Sequence, residues 1–300
     1  MAVRLSGFAD EAADTIDEQI AVTRELGWNS IELRTVNGAN VVDLEQKQFE
    51  RLTELMAANA MTVNAVGSTI ANWGSSIEEP ERVALEAAER AIGRMHALGT
   101  TQIRVMSWQV IRDGQGRAIT DQREPERIRR LRALSRLFVD AGITPVHENC
   151  ATWGGMSPDH TLRMLDAVPD LKLVFDTGNP PLTEDFAKPW PYPYQSTRDY
   201  WNQVKQHVVH IHIKDSRHDA QSGDEQYCWP GEGDGDVAWL LRDLESIDYQ
   251  GYLSIEPHMA VVFHDDSVSA PQEARRRNYL EYGRRLETLL NELGIAFGRL

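Results

Sequence analysis

The strongest constraint on the fold is an alternation of short apolar runs with longer amphipathic segments, which occurs eight times along the chain. The apolar runs predict strands at 3–8, 30–36, 61–67, 102–108, 144–150, 171–178, 208–215 and 251–258. The segments between them have apolar residues near helical spacing and predict helices at 14–26, 44–59, 80–98, 123–141, 158–168, 197–206, 237–247 and 274–293. This alternation predicts an α/β protein, a single (β/α)8 TIM barrel that spans residues 1–300 as one domain. An open doubly wound sheet is the alternative, but no glycine-rich phosphate motif follows the first strand.

The strand at 208–215, VVHIHIKD, predicts what lies inside such a barrel. Successive side chains of a strand point to opposite faces, so His210, His212 and Lys214 share one face and the aliphatic residues share the other. In a closed barrel the polar row faces the interior, because the helices cover the outside. Three other predicted strands also end in inward acids, which are Glu148, Asp176 and Glu256.

The acids and the second histidine are the ligand types of a divalent metal site. The predicted ligands are Glu148, Asp176, His212 and Glu256. Hard oxygen ligands with one imidazole favour Mn²⁺, Mg²⁺ or Co²⁺ over zinc in a thiolate site. Four protein ligands also leave room for two substrate oxygens in an octahedral shell.

A hydroxyketone would fill that room, and its polarised carbonyl would allow a proton to leave the neighbouring carbon and form an enediolate. Glu148 and Glu256 come from non-adjacent strands, so one could remove the proton and the other return it. Return to the opposite face gives an epimer, and return to the adjacent carbon gives an aldose–ketose isomer. The alternative is a lyase or dehydratase that expels a β-hydroxyl or glycosyl group from a keto-inositol or 3-keto-glycoside.

The charge and cysteine content exclude several other classes. Lys and Arg number 31 against 46 Asp and Glu, and the net charge of −15 disfavours nucleic acid and anionic membrane. A small sugar or keto-sugar is the expected partner. Cys150 and Cys228 indicate neither a disulfide scaffold nor a cysteine zinc site. The acidic amino terminus is not typical of a signal peptide, and no apolar run is long enough for a membrane span, so we expect a cytoplasmic protein.

The sequence resembles the xylose-isomerase-like barrels known as sugar phosphate isomerases/epimerases, which include ketose 3-epimerases, hydroxypyruvate isomerase and inosose dehydratase. The motifs that carry the resemblance are HEN with Glu148, FDTGN with Asp176, HIHIKD with His212, and PGEGDGDVAWLLRDLESIDYQGYLSIEPH with Glu256. The resemblance implies that these four residues bind the metal and that the two glutamates form the acid/base pair. The sequence departs from the ketose 3-epimerases at Asn179, where a histidine that contacts the substrate is common.

Several further residues are candidates for substrate contact. They are Glu32, Trp108, Asn179, Lys214, Arg217 and His258. A loop rich in proline and aromatic residues, 179–196, also follows the sixth strand. Its rings at Trp190, Tyr192 and Tyr194 could form a lid that stacks on a sugar. Alternatively, they pack the loop against the barrel or face a partner subunit, and the last alternative would make the protein a homo-oligomer.

Other interpretations of the same residues remain open. Glu148 or Asp176 taken alone could be a structural acid paired with Arg34 or Arg104. The glycine-rich run 231–236 predicts a flexible turn and a helix cap before Val237. His264 and the two aspartates after it predict a charged loop.

A non-catalytic sugar- or metal-binding barrel and an apurinic-site endonuclease are also alternatives. The endonuclease would require a three-zinc cluster with more inward histidines and a basic face, which the charge argues against.

Overall fold

The computed structural model describes residues 2–219, 223–262 and 265–298. His264 lies outside the described residues, as do the side chains of Asp265 and Asp266, so the predicted charged loop is not tested. All eight predicted strand–helix units are present. The strands that form them are β1 (Ala2–Gly7), β2 (Ser30–Leu33), β3 (Thr62–Val66), β4 (Gln102–Val105), β5 (Thr144–Glu148), β6 (Lys172–Asp176), β7 (Val208–Ile213) and β8 (Tyr252–Ile255). The helices are α1 (Ile16–Glu25), α2 (Gln46–Ala58), α3 (Arg82–Leu98), α4 (Glu124–Asp140), α5 (Pro158–Ala167), α6 (Thr197–Val204), α7 (Val237–Asp243) and α8 (Gln272–Glu292).

The strands form one curled parallel sheet with the helices around it, which is the predicted TIM-barrel fold. A ninth strand, β9 (Ala296–Gly298), follows α8, and the strand order is β9-β1-β8-β7-β6-β5-β4-β3-β2. β9 pairs with the edge of β1 that faces β2, and β1 and β2 also contact each other. These contacts bring the two ends of the sheet together.

The helix ends show why the sequence divides into these units. Ser157 and Ser196 precede α5 and α6, and each side chain accepts a hydrogen bond from a backbone N–H of the first turn. After α3, Gly99 adopts the left-handed conformation (φ 68°) that reverses the chain, and Gly142 does the same after α4 (φ 75°).

Strand β7 has the predicted two faces. Ile211 and Ile213 are fully buried in the hydrophobic core on the helix side, whereas His210 and His212 face the barrel interior, where they reach Glu32 of β2. Both faces are therefore buried, as a parallel barrel requires. The register places His212 beside Asp176 on β6 and Ser254 on β8, so the ends of these three strands lie side by side.

Three antiparallel hairpins in the strand-to-helix loops were not predicted. Their paired segments are Thr35–Val36 with Ala39–Asn40, Asp215–His218 with Glu225–Cys228, and Val261–Val262 with Asp265–Ser269. The first of them shortens the predicted strand 30–36, because the chain leaves the barrel after Leu33 and Arg34 turns towards the acids of the site.

The run 231–236 is more ordered than the predicted flexible turn. The Asp215 carboxylate accepts hydrogen bonds from the backbone N–H groups of Gly231, Gly233 and Gly235 at 2.8–3.0 Å. The predicted helix cap is wrong, since the side chain of Asp236 makes no cap hydrogen bond and pairs instead with Arg198 at 2.5 Å.

Among the described residues, no helix combines the length and the apolar character that crossing a membrane requires.

Candidate metal centre

Four side chains from the carboxyl ends of β5, β6, β7 and the segment after β8 converge on one point. One ligand atom from each lies within 4.8 Å of the others, and the residues are Glu148, Asp176, His212 and Glu256. None of them is more than 2% exposed. The structure therefore brings together all four residues that the sequence predicts as ligands.

Two atoms of this cluster lack the hydrogen bonds that buried polar atoms normally make. Asp176 Oδ2 and His212 Nδ1 are buried and have no hydrogen-bond partner among the described residues. His212 Nδ1 lies 3.7 Å from Glu148 Oε1 and 3.9 Å from both Asp176 Oδ2 and Glu256 Oε2. Asp176 Oδ2 has only an ion pair with Lys214 Nζ at 3.1 Å. Since an unsatisfied buried polar atom costs about 1–3 kcal/mol, a cation at this point would give His212 Nδ1 a partner and add a second cationic partner to Asp176 Oδ2. Three carboxylates with one imidazole fit a divalent cation that prefers oxygen ligands.

Glu32 orients the imidazole of His212 from below. Its carboxylate lies 3.1 Å from His212 Nε2 and 2.7 Å from His210 Nε2. Burial opposes its charge, but the two histidines outweigh burial and hold the pKa of Glu32 well below its usual range. An ionised carboxylate only accepts hydrogen bonds, so both Nε2 atoms donate, and Nδ1 of His212 faces the cluster.

Cations neutralise the cluster from its rim. Arg104 Nη1 is 2.7 Å from Glu148 Oε2, and Arg34 Nη1 is 2.6 Å from Glu256 Oε1. Lys214 Nζ lies 3.2 Å from the second oxygen of Glu256. Of the arginine pairs that were the structural alternative for a lone inward acid, the pair of Arg104 with Glu148 thus occurs, together with the four-residue cluster.

The charges shift the pKa values within the cluster in different directions. Burial disfavours ionised Glu148, but Arg104 and His212 outweigh burial and lower its pKa to about 2. Burial raises the pKa of Asp176 to about 7, because Glu256 and Glu148 add to it and Lys214 offsets only part. Burial lowers the pKa of His212, but Glu32 and Glu148 raise it to about 10. The cluster therefore favours positive charge at its centre.

The loop after β1 contributes two acids that the sequence analysis missed. Asp10 receives two hydrogen bonds from Arg34, at 2.9 and 3.1 Å. Glu11 accepts from the backbone N–H of His258 at 2.8 Å and lies 2.9 Å from its Nδ1. Both acids directly follow a predicted barrel strand, and the carboxyl ends of barrel strands are where site residues are expected. That position was the available signal.

A cavity of about 630 Å³ opens above the cluster. Glu148 and Glu256 form part of its floor, and Asn179, Lys214 and His258 also line it. Its outer part is formed by the loops after β2, β3 and β6 and by the hairpin after β7.

Residues 20–285 match the family model of the xylose isomerase-like TIM barrels. The chain belongs to this family. A comparison with curated proteins gives no match.

Solved structures share the fold at low sequence identity. A xylose isomerase-like TIM barrel protein from Mycobacterium smegmatis in complex with magnesium is 17% identical, with a TM-score of 0.67 over 97% of this chain and 98% of that one. The 3-keto-D-glucoside 4-epimerase of E. coli is 18% identical, with a TM-score of 0.64 over 94% and 98%. The D-allulose 3-epimerase of Methylomonas sp. in complex with D-allulose is 16% identical, with a TM-score of 0.64 over 97% of each chain.

Three of the predicted contact residues, Glu32, Trp108 and Arg217, do not line the cavity above the cluster. Arg217 is exposed and donates to the backbone carbonyl of Glu232 rather than lining the cavity. Trp108 is 2% exposed and lines a separate, smaller cavity. Glu32 lies beneath His212 and not in the cavity wall. Its position indicates that it orients the His212 imidazole and does not contact the substrate.

Asn179 lies at the cluster, whereas the aromatic residues of the loop after β6 lie outside the cavity. Asn179 Nδ2 donates to Glu148 Oε1 at 2.9 Å, so the residue that departs from the ketose 3-epimerases contacts a cluster acid. Tyr192 packs against Trp190 and Phe186, and Tyr194 packs against the ring of His218. None of the three aromatic residues of this loop lines the cavity.

Proposed function

We propose that this protein is a divalent-metal-dependent isomerase or epimerase that acts on a ketose or keto-sugar through an enediolate. The observation that carries the proposal is the buried four-residue cluster, in which His212 Nδ1 has no hydrogen-bond partner among the described residues and Asp176 Oδ2 has only its ion pair with Lys214. Mn²⁺ is the proposed cofactor, with Mg²⁺ or Co²⁺ as substitutes, because three carboxylates and one imidazole suit these ions. When bound, the cation would polarise the substrate carbonyl as a Lewis acid.

The surroundings of the two glutamates divide the proton transfers between them. Glu148 has Arg104 at Oε2 but only the neutral amide of Asn179 at Oε1, whereas Glu256 has a cation at each oxygen, Arg34 at one and Lys214 at the other. A carboxylate oxygen beside a neutral donor is the stronger base, so Glu148 removes the proton next to the carbonyl. Glu256, on the far side of β6 and β7 from Glu148, returns a proton to the opposite face or to the adjacent carbon.

Isotope exchange tests this proposal directly. The Mn²⁺-loaded protein is incubated in D₂O with D-fructose, D-allulose and D-tagatose, and NMR follows replacement of the hydrogen next to the carbonyl. We expect exchange in at least one ketose and a loss of at least about 100-fold in Glu148→Gln and Glu256→Gln, since general acid–base catalysis contributes about 10²–10⁴-fold. Glu232→Gln, which changes an exposed acid paired with Arg285, is the matched control and should exchange normally.

Two results would contradict the proposal. Wild-type protein that exchanges no ketose hydrogen would remove the isomerase and epimerase reactions. An unsaturated product that absorbs in the ultraviolet would show elimination instead and would assign the same acids to a lyase.

A further inference from the structure

The cavity above the cluster is larger than a single sugar ring. A water molecule occupies about 30 Å³ of liquid, so a cavity of about 630 Å³ holds about 20 waters, whereas a hexose has only about half as many non-hydrogen atoms. Pockets of about 300–1,000 Å³ typically enclose drug-sized ligands. A hexose seated on the floor would leave much of the cavity unfilled.

Two aromatic residues stand in the outer wall, on opposite sides. Trp73 lies in the loop after β3 and is 37% exposed, and Tyr227 lies in the hairpin after β7. In the strand order β3 and β7 are four positions apart, which is across an eight-stranded barrel. Aromatic faces bind the C–H faces of sugar rings, and both residues lie in loops that follow the carboxyl ends of barrel strands.

The remaining outer wall is polar but carries few charges. Amides and hydroxyls come from Asn40, Asn72, Thr69 and Thr183. These groups hydrogen-bond the hydroxyls of a neutral sugar.

Each cation of the wall has an acidic partner, and Arg104 Nε, which has no hydrogen-bond partner in the described part of the chain, is buried away from solvent. Arg104 pairs with Glu148, Arg34 with Asp10 and Glu256, and Lys214 with Asp176 and Glu256, all within 3.3 Å. A phosphate binds best to arginine or lysine with free donors or to a helix N-terminus. Among the described lining residues, these charges do not form such a site.

We propose that the substrate is an uncharged glycoside or disaccharide, with its keto-sugar ring at the cluster and its second ring between Trp73 and Tyr227. The inference rests on the proposed function, because it assigns the reacting ring to the metal centre. The outer ring supplies binding contacts and takes no part in proton transfer.

A matched series of ketoses tests this inference. Calorimetry with the Mg²⁺-loaded protein measures the dissociation constants of D-fructose, of D-fructose 6-phosphate, and of maltulose, lactulose and isomaltulose, which carry a second hexose on O4 or O6 of fructose. We expect at least one disaccharide to bind about tenfold or more tightly than fructose, because an aromatic stack is worth about that factor. Fructose 6-phosphate should bind no more tightly than fructose.

Variants locate the second ring. Trp73→Ala should weaken the best disaccharide about tenfold and leave fructose unchanged, and Trp73→Phe should retain most of the advantage. Trp190→Ala removes a tryptophan that is 51% exposed but lies outside the cavity, so both affinities should stay the same.

The outcomes separate this inference from the proposed function. If a ketose exchanges deuterium but none of the three disaccharides binds more tightly than fructose, or the phosphate ester binds best, the inference fails and the proposed reaction stands. If the disaccharide advantage persists in Trp73→Ala, the second ring lies elsewhere and the inference also fails.

Discussion

Glu32 shows how one residue beneath the site determines what the site can bind. A metal needs a lone pair on His212 Nδ1, and Glu32 favours it there by accepting a hydrogen bond from Nε2–H, which keeps a proton on Nε2. The same carboxylate accepts from His210, so two imidazoles share one acid. A neutral amide could not serve both in the same way, because it has one oxygen acceptor and one nitrogen donor.

We therefore predict that Glu32→Gln weakens Mn²⁺ binding about 10–100-fold, the usual effect of losing the partner of a ligating histidine. Titration calorimetry measures the affinity, and ¹⁵N NMR of the imidazole reports which nitrogen of His212 carries the proton. The matched control is Glu287→Gln. Glu287 is another buried acid; it lies in α8 and accepts a hydrogen bond from Trp28 Nε1. Unchanged affinity and an unchanged tautomer in Glu32→Gln would show that Glu32 only fills space.

Period-two alternation could predict which side chains point into the barrel but not how deep they lie. It identified the four cluster residues, which the structure brings together. It could not separate Glu32 from Arg34, which are two residues apart and share a face, because depth depends on strand tilt and stagger. Arg34 reaches the cavity, whereas Glu32 lies under His212.

At the scale of elements, hydrophobic periodicity located all eight strand–helix units because burial on defined faces controls both, but it missed the short strand β9. It did not reveal the hairpin formed by Asp215–His218 and Glu225–Cys228. The glycine-rich run after the hairpin is held against its first residue, Asp215, by hydrogen bonds from glycine N–H groups, and such contacts leave no periodic signal. The glycine-rich run looked flexible in sequence because its partner, Asp215, lies 16–20 residues earlier.

Gly233 provides the test of this anchor. A Cβ atom there would overlap the Asp215 carboxylate and lie 2.6 Å from the carbonyl oxygen of Ser216. We expect Gly233→Ala to lower the free energy of unfolding by about 1–3 kcal/mol, as is typical when a substitution forces a steric clash. Urea denaturation measures it.

The control for this substitution is Gly93→Ala, in the exposed part of α3, where a Cβ atom meets nothing within 4 Å. It should raise the free energy of unfolding by about 0.5–1 kcal/mol, because alanine is the better helix former. Equal effects of the two substitutions would mean that the loop tolerates a side chain and that Asp215 does not hold it closely.

At the scale of the whole molecule, the candidate metal centre is formed by residues from four adjacent strands of the barrel, β5 to β8. Repulsion among the three carboxylates destabilises the folded state, in which these strands lie side by side. Arg104, Arg34 and Lys214 offset only part of this repulsion. Burial raises the pKa of Asp176 to about 7, and the charges of Glu256 and Glu148 add to that effect. Because the folded chain holds that proton more tightly than the unfolded chain, ionised Asp176 costs stability above about pH 7.

A divalent cation should therefore stabilise the whole barrel. A ligand at 100 times its dissociation constant stabilises the folded state by about 2.7 kcal/mol, and we expect saturating Mn²⁺ to raise the Tm at pH 8 by about 5 °C. Calorimetric scans with Mn²⁺, and again after EDTA, measure the shift. Asp176→Asn should abolish the Mn²⁺ shift, yet without metal it should be at least as stable as wild type, because it removes a buried charge that folding disfavours. If Asp176→Asn instead lowered the metal-free Tm by several degrees, its ion pair with Lys214 would be the dominant contribution, and the cluster would be a structural salt bridge rather than a site strained towards metal binding.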